Sequence, residues 1–361
     1  MRNATAARSG SLAILVRVTH TEGERAGLQG AASARRSPRF VQAALPDATA
    51  VAPMLHRLLA ASDARIPARF LYDELGSRLF DAITSLPEYY PTRTEAQIFA
   101  THLPAIAAAA PVTGCTLIDL GAGSCEKAPR LFPVVRPRQY VAVDISVDFL
   151  RTALSRLQLE HPHVDMLGVG TDFSSRLELP LEVRRERRLF FYPGSSIGNF
   201  KPADACAFLL RVRNAMGDGG VLWIGADLLK DEATLLRAYD DELGVTAAFN
   251  RNVLRHVNTL AGTDFSPADW RHVARFDTAE RRIEMHLEAR TAVTVQWPGG
   301  ARAFAAGERI HTENSYKHTT AGFTELLASA GLRTVGVWTD PDDWFGVFVA
   351  VPARAVPAPG Q

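Results

Sequence analysis

Thr116-Leu117-Ile118-Asp119-Leu120-Gly121-Ala122-Gly123-Ser124 decides the fold of this chain. A short apolar run ends in two glycines, and Glu126 to Phe132 can start a helix, which gives the order strand, tight turn, helix. Similar runs recur at Tyr140 to Asp144, at Arg188 to Tyr192 before Pro193-Gly194, and at Gly220 to Gly225 after a Gly-Asp-Gly-Gly turn. Helical stretches separate them at βαβ spacing, and near-continuous apolar strands fit a parallel sheet covered on both faces. The prediction is an α/β, doubly wound sheet. Its pattern breaks from about Leu228 to His311, where helical pieces give way to the period-two strand Ala289 to Val295, and resumes with a helix at Thr320 to Ser329 and strands at Arg333 to Trp338 and Phe345 to Val351.

In such sheets ligands sit beyond the carboxyl ends of the strands, and the first strand-to-helix turn meets them with backbone. Gly121 and Gly123 clear side chains from that turn, and Asp144 ends the second strand about 20 residues later, where a carboxylate can accept from both ribose hydroxyls. These features fit NAD and S-adenosylmethionine alike. In a dinucleotide fingerprint the third glycine packs beneath a pyrophosphate, yet that position here is Glu126, a carboxylate unfavourable beside a pyrophosphate and tolerable near a sulfonium and an ammonium. Asp172 can accept from an adenine amine, and Phe173 can cover the ring.

Composition narrows the partners. With 40 basic and 39 acidic side chains the net charge is +1, which gives no field for nucleic acid or anionic membranes and favours a small substrate. Cys115, Cys125 and Cys206 lack CxxC spacing and read as reduced thiols. The run Leu12 to Val16 is cut by Arg17, too short for a signal sequence, and nothing approaches a membrane span, so the expected location is the cytoplasm. No metal site is evident, since His161 and His163 have no further ligands to complete a shell.

One region resists explanation by periodicity: Phe70-Leu71-Tyr72-Asp73-Glu74-Leu75-Gly76-Ser77-Arg78-Leu79-Phe80, followed by Leu86-Pro87-Glu88-Tyr89-Tyr90-Pro91-Thr92-Arg93-Thr94-Glu95. It resembles the signature of the histidine Nα-methyltransferases, the first enzymes of ergothioneine biosynthesis. The resemblance runs from about residue 54 to 350. Gly121 to Ser124 with Lys127, Pro193 to Phe200, and His311-Thr312-Glu313-Asn314-Ser315-Tyr316-Lys317 support it independently.

The resemblance implies a class I, Rossmann-like methyltransferase sheet with a second, smaller substrate-binding domain built from the N-terminal helices and the insertion. The expected division is a disordered extension at 1–38, helical substrate-domain part at 39–110, methyltransferase domain at 111–227, insertion at 228–315, methyltransferase end at 316–351 and a tail at 352–361. It further implies that Tyr72, Gly121, Gly123, Lys127, Asp144, Asp172 and Phe173 contact S-adenosylmethionine. Tyr72, Phe80, Tyr89, Gly194, Asn199, Tyr239, Met285, Glu313 and Ser315 would line a pocket for L-histidine, which a monomeric enzyme would convert to the Nα-trimethyl product hercynine. Tyr239 and Met285 carry the weakest correspondence, because no distinctive local motif surrounds them.

The chemistry of those residues agrees. Glu313 and Ser315 lie two apart in an extended segment, so their side chains share a face where they can hold the two nitrogens of an imidazole. Asn199, Tyr89 and Tyr239 are neutral donors for a carboxylate. Tyr72 and Phe80 can hold a growing methylammonium through ring faces, and the Tyr72 hydroxyl can orient the amine, which makes Tyr72 the expected catalytic residue. Rival readings are another acceptor such as tryptophan or tyrosine, an NAD-dependent oxidoreductase, and a non-catalytic binding subunit.

Overall fold

The computed structural model describes residues 36–42, 48–145 and 147–353. The expected extension as far as residue 35 and the tail from 354 lie outside the described residues. Among the described residues the first elements are strand β1 (Arg39–Gln42) and helices α1 (Ala48–Ala60), α2 (Glu74–Ile83) and α3 (Tyr90–Ala108). Strand β2 (Thr116–Leu120) leads to the one-turn helix α4 (Phe132–Val135), and β3 (Gln139–Asp144) to α5 (Val147–Glu160). Then come β4 (Asp165–Gly170), β5 (Arg188–Tyr192), α6 (Pro202–Met216) and β6 (Val221–Asp227). The insertion holds α7 (Glu232–Tyr239), α8 (Val245–Ala261), β7 (Trp270–Asp277), β8 (Arg282–Ala289), β9 (Val293–Trp297), β10 (Gly300–Phe304) and β11 (Arg309–Tyr316). Helix α9 (Thr320–Ser329) and strands β12 (Leu332–Thr339) and β13 (Phe345–Pro352) are the last elements of the described residues.

Eight strands form one sheet in the order β1-β4-β3-β2-β5-β6-β13-β12. Every pairing from β1 to β6 is parallel, and β13 runs antiparallel between β6 and β12. The chain order reverses between β2 and β5, so the open crevice of a doubly wound sheet falls at the end of β2, where Gly121 begins the turn. Separate apolar clusters cover the sheet's two faces, one around Phe190, Phe208 and Phe348 and the other around Tyr140, Phe191 and Trp223. A third cluster, around Phe249, Trp270 and Leu287, joins α1, α2 and α8 to the antiparallel sheet β11-β8-β7.

Four expectations change. Residues 39–110 do not all belong to the substrate side: β1 adds an edge strand to the large sheet, and α3 packs on β12 and β13. Strand β4 was not predicted, because Gly168 and Gly170 dilute its apolar pattern. The helix expected over 126–132 shrinks to a 3₁₀ turn at Ala128–Leu131 followed by α4, as Pro129 and Pro133 remove backbone donors. The single strand expected from Ala289 to Val295 breaks after Ala289, where Arg290 N–H donates to the Asp269 carbonyl and the chain turns out to solvent before β9.

Candidate active site

The glycine bend is built by its own backbone. Gly121 and Gly123 adopt φ of +71° and +51°, and the N–H groups of Gly121 and Ala122 both donate to the Val143 carbonyl. Asp144 then accepts from Gly123 N–H through Oδ2 at 3.0 Å and from Ile145 N–H through Oδ1 at 2.7 Å. A Cβ on Gly121 would stand 3.7 Å from the Phe173 ring, so bend, carboxylate and ring form one cradle. Glu126 is not part of it: its side chain is exposed beside Arg156, because the bend turns that position outward. The expectation that this residue itself discriminates between cofactors is therefore not supported by its placement.

Asp172 is engaged from two sides. Oδ1 accepts from Ser174 N–H and the Ser174 hydroxyl, and Oδ2 from Arg69 Nη1 at 3.2 Å. Arg69 lies in a 3₁₀ turn, Ala68–Leu71, that leads directly into Tyr72, so this ion pair ties the aromatic motif to the end of β4. Helix α2 starts at once: Asp73 caps it by accepting from Gly76 N–H and also accepts from Asn252 Nδ2 on α8, both at 2.7 Å. A side chain at Gly76 would fall on the Leu71 carbonyl oxygen, which accounts for that glycine.

The tyrosines converge. Ring centroids of Tyr72 and Phe80 lie 5.5 Å apart, Phe80 and Tyr89 6.1 Å, and Tyr89 and Tyr239 6.2 Å, a continuous aromatic wall drawn from the turn before α2, from α2 itself, from the residue before α3 and from α7. Phe249, on α8, closes it at 5.4 Å from Tyr72 and 6.0 Å from Phe80. Sequence reasoning missed Phe249, since its spacing with Val253 and Val257 reads as ordinary helix core. Burial, reinforced by the Glu313 charge, holds the phenols of Tyr72, Tyr89 and Tyr239 above the usual tyrosine range, so they are neutral donors at physiological pH.

Glu313 and Ser315 sit on β11, and Met285 is the register partner of Glu313 on β8. Glu313 is 7% exposed, and its Oε2 has no hydrogen-bond partner. Burial pushes its carboxyl up to about 8, with Lys317 pulling the other way. Ser315 is held instead: its Oγ lies 2.6 Å from Tyr239 Oη and accepts from Lys317 Nζ at 2.8 Å. Asn199 ends a 3₁₀ turn, Ser196–Asn199, and is half-buried.

The last residue of the aromatic signature bridges the segment after the glycine bend and the turn after β5, a role that the sequence did not reveal. Glu95, 2% exposed on α3, accepts from Lys127 Nζ through Oε2 and from Gly194 N–H through Oε1, each at 2.8 Å. Gly194 has φ of +77° and its missing Cβ would meet Lys127 Nζ at 3.1 Å. Lys127 and Gly194, expected on different ligands, are thus clamped by one carboxylate. Among the described residues there is no group of three or more His, Cys, Asp or Glu placed to hold a metal ion.

The glycine bend at the reversal of a doubly wound sheet, tied through Arg69 and Asp172 to the turn before the aromatic wall, belongs to the Rossmann-like class of α/β proteins. The family described as histidine-specific methyltransferase, SAM-dependent, matches residues 51–352. A histidine N-alpha-methyltransferase of Mycolicibacterium smegmatis is 43% identical over 81% of this chain and 92% of its own length. The protein of that name in Mycobacterium tuberculosis is 41% identical over 79% of this chain and 89% of its own. Ergothioneine biosynthesis protein 1 of Neurospora crassa is 30% identical over 76% of this chain, which spans 32% of that longer protein. The chain belongs to the S-adenosylmethionine-dependent, histidine-specific methyltransferase family.

Proposed function

We propose that the protein trimethylates the α-amino nitrogen of L-histidine, giving hercynine, the first step of ergothioneine biosynthesis. The observation that carries this reading is Glu313: a buried carboxylate with an unpartnered oxygen, set beside an aromatic wall, is a demanding surface that a ring N–H satisfies and an apolar side chain does not.

The cradle of Gly121, Gly123, Asp144 and Phe173 fits a nucleoside, with Lys127 and Asp172 beside it. S-adenosylmethionine bound there supplies an electrophilic methyl group. The protein's own contribution is placement, because methyl transfer needs a neutral amine lone pair aligned at near-attack distance. Glu313 and Ser315 take the imidazole. Asn199, Tyr89 and Tyr239 face the carboxylate, Gly194 and Met285 shape the floor, and Tyr72 and Phe80 flank the amine. Ring faces serve all three methylations, since they require no N–H bond that the reaction removes, and they attract a methylated cation when water is excluded. The high phenol of Tyr72 makes it an orienting donor and not a base. A tryptophan acceptor offers a single indole N–H, which can pair with Glu313 or Ser315 but not with both, whereas an imidazole has two ring nitrogens for the two residues.

Mass spectrometry of histidine incubated with protein and S-adenosylmethionine is expected to show a gain of three methyl groups. Preference for tryptophan in competition would overturn the acceptor. The three free cysteines support a reducing cytoplasm as the site of action. No helix among the described residues is long and apolar enough to cross a membrane. A monomer is part of the proposal, and light scattering tests it.

A further inference from the structure

Behind the pocket lies a charged cluster that none of the roles above uses. Lys317 is 3% exposed, and its Nζ donates to Asp227 Oδ2 at 2.6 Å, Ser315 Oγ at 2.8 Å and Tyr239 Oη at 3.0 Å. Those acceptors engage all the donors an ammonium has. The same nitrogen stands 4.7 Å from the Tyr239 ring centroid. Asp227, fully buried, is fixed in turn by the Tyr90 hydroxyl at 2.8 Å and Lys230 Nζ at 2.6 Å. Asp340 acts on Lys230 as well, so each lysine has a carboxylate near it, and the Lys317 ammonium lies directly behind two neutral hydroxyls.

Proton counting then limits those hydroxyls. Tyr239 Oη and Ser315 Oγ are 2.6 Å apart, so one of their two protons lies between them. Lys317 occupies a lone pair on each. The second proton has no acceptor among the described residues and is free for a ligand.

We infer that Lys317, anchored by Asp227, is a positioning residue that polarises the Tyr239–Ser315 pair and makes Tyr239 an outward donor to the α-carboxylate of the acceptor. Ser315 donates to Tyr239 and keeps a lone pair for a ring N–H beside Glu313. Charge decides the direction. A hydroxyl whose oxygen accepts from an ammonium is a stronger donor, which suits an anionic group of the ligand. Burial keeps the Tyr239 phenol neutral, so it retains the proton it donates. This inference rests on the histidine reading.

The test compares histidine with histamine, which lacks the carboxylate, by calorimetric titration of protein saturated with S-adenosylhomocysteine. Lys317→Met is expected to weaken histidine binding about 10- to 100-fold and histamine binding less than about threefold. Equal losses would overturn the inference. Adding Tyr239→Phe to Lys317→Met should cost little more, because both act on one hydrogen bond, and fully additive losses would also overturn it. Binding of S-adenosylhomocysteine reports whether each variant is folded. Should Lys317→Met lose it, Ser315→Ala decides: Lys317 still reaches Tyr239 there, so the preference for histidine over histamine persists, and its collapse refutes the role given to Lys317. Histidine turnover by the unmodified protein tests the underlying reading separately.

Discussion

Glu95 holds Lys127 and the backbone N–H of Gly194 with its two carboxylate oxygens, and so joins the segment after the glycine bend to the turn after β5. Without Glu95 the Gly194 N–H is left unsatisfied, while Lys127, about a third exposed, can turn to water. Glu95→Ala should therefore cost about 1–3 kcal/mol of stability, whereas Glu95→Gln, which still accepts from Gly194, should cost less. Chemical denaturation of the two variants checks this, and similar losses would mean that the charge on Glu95 matters more than the bridge.

Gly225 makes room for that carboxylate. A Cβ at this position in β6 would lie 2.5 Å from Glu95 Oε1 and 2.8 Å from the Phe345 ring. Gly225→Ala should destabilise the protein by about 1–3 kcal/mol through overpacking. Melting temperature is the readout, and an unchanged value would show that α3 can shift without cost.

Glu313 should separate acceptor from donor binding. Glu313→Ala is expected to weaken histidine binding about 10- to 100-fold, the scale of one or two buried hydrogen bonds, and to leave S-adenosylhomocysteine binding nearly unchanged. Parallel losses of both ligands, measured by calorimetry, would place Glu313 in the wrong pocket.

The same residue carries a pH signature. Burial raises its carboxyl from the ordinary 4.5 to about 8, so the folded protein binds this proton more tightly than the unfolded chain. Its contribution to stability is present below the ordinary value and is lost as pH rises through the folded one. Glu313→Gln, which does not titrate, should gain in melting temperature relative to the unmodified protein between about pH 5 and about pH 9. A difference that stays flat across that range would contradict it.

Arg69 and Asp172 test the coupling of the two halves. Arg69→Met removes the ion pair between the aromatic motif and the end of β4, and both KM values should rise, because Tyr72 follows this turn directly. An effect on neither would leave the pair a surface feature.

Much of the sheet was legible because buried parallel strands write themselves as apolar runs; β2, β3, β5 and β6 all do so. The pair β1 and β4 was not, and one contact explains both. Phe40 is the register partner of Gly168, and a Cβ there would stand 2.7 Å from the Phe40 ring. Glycine lets that ring lie on the neighbouring strand, and the same glycine hides β4 from any reading of hydrophobic pattern. In the site, motif residues such as Tyr72 and Glu313 stood out by their local sequence. Glu95 and Lys317 fell within those motifs, but their roles were not legible, because Lys127 and Asp227 lie 32 and 90 positions away, and Phe249 sits on a helix whose spacing reads as plain core.

Strand β1 has another effect. Without residues 39–42, the flank of β4 would present unpaired peptide groups along a flat, apolar strand, the kind of template on which chains add to one another. A truncated protein beginning at residue 48 would keep every pocket group and still be prone to clump, so catalytic competence and colloidal behaviour can be lost independently in this fold.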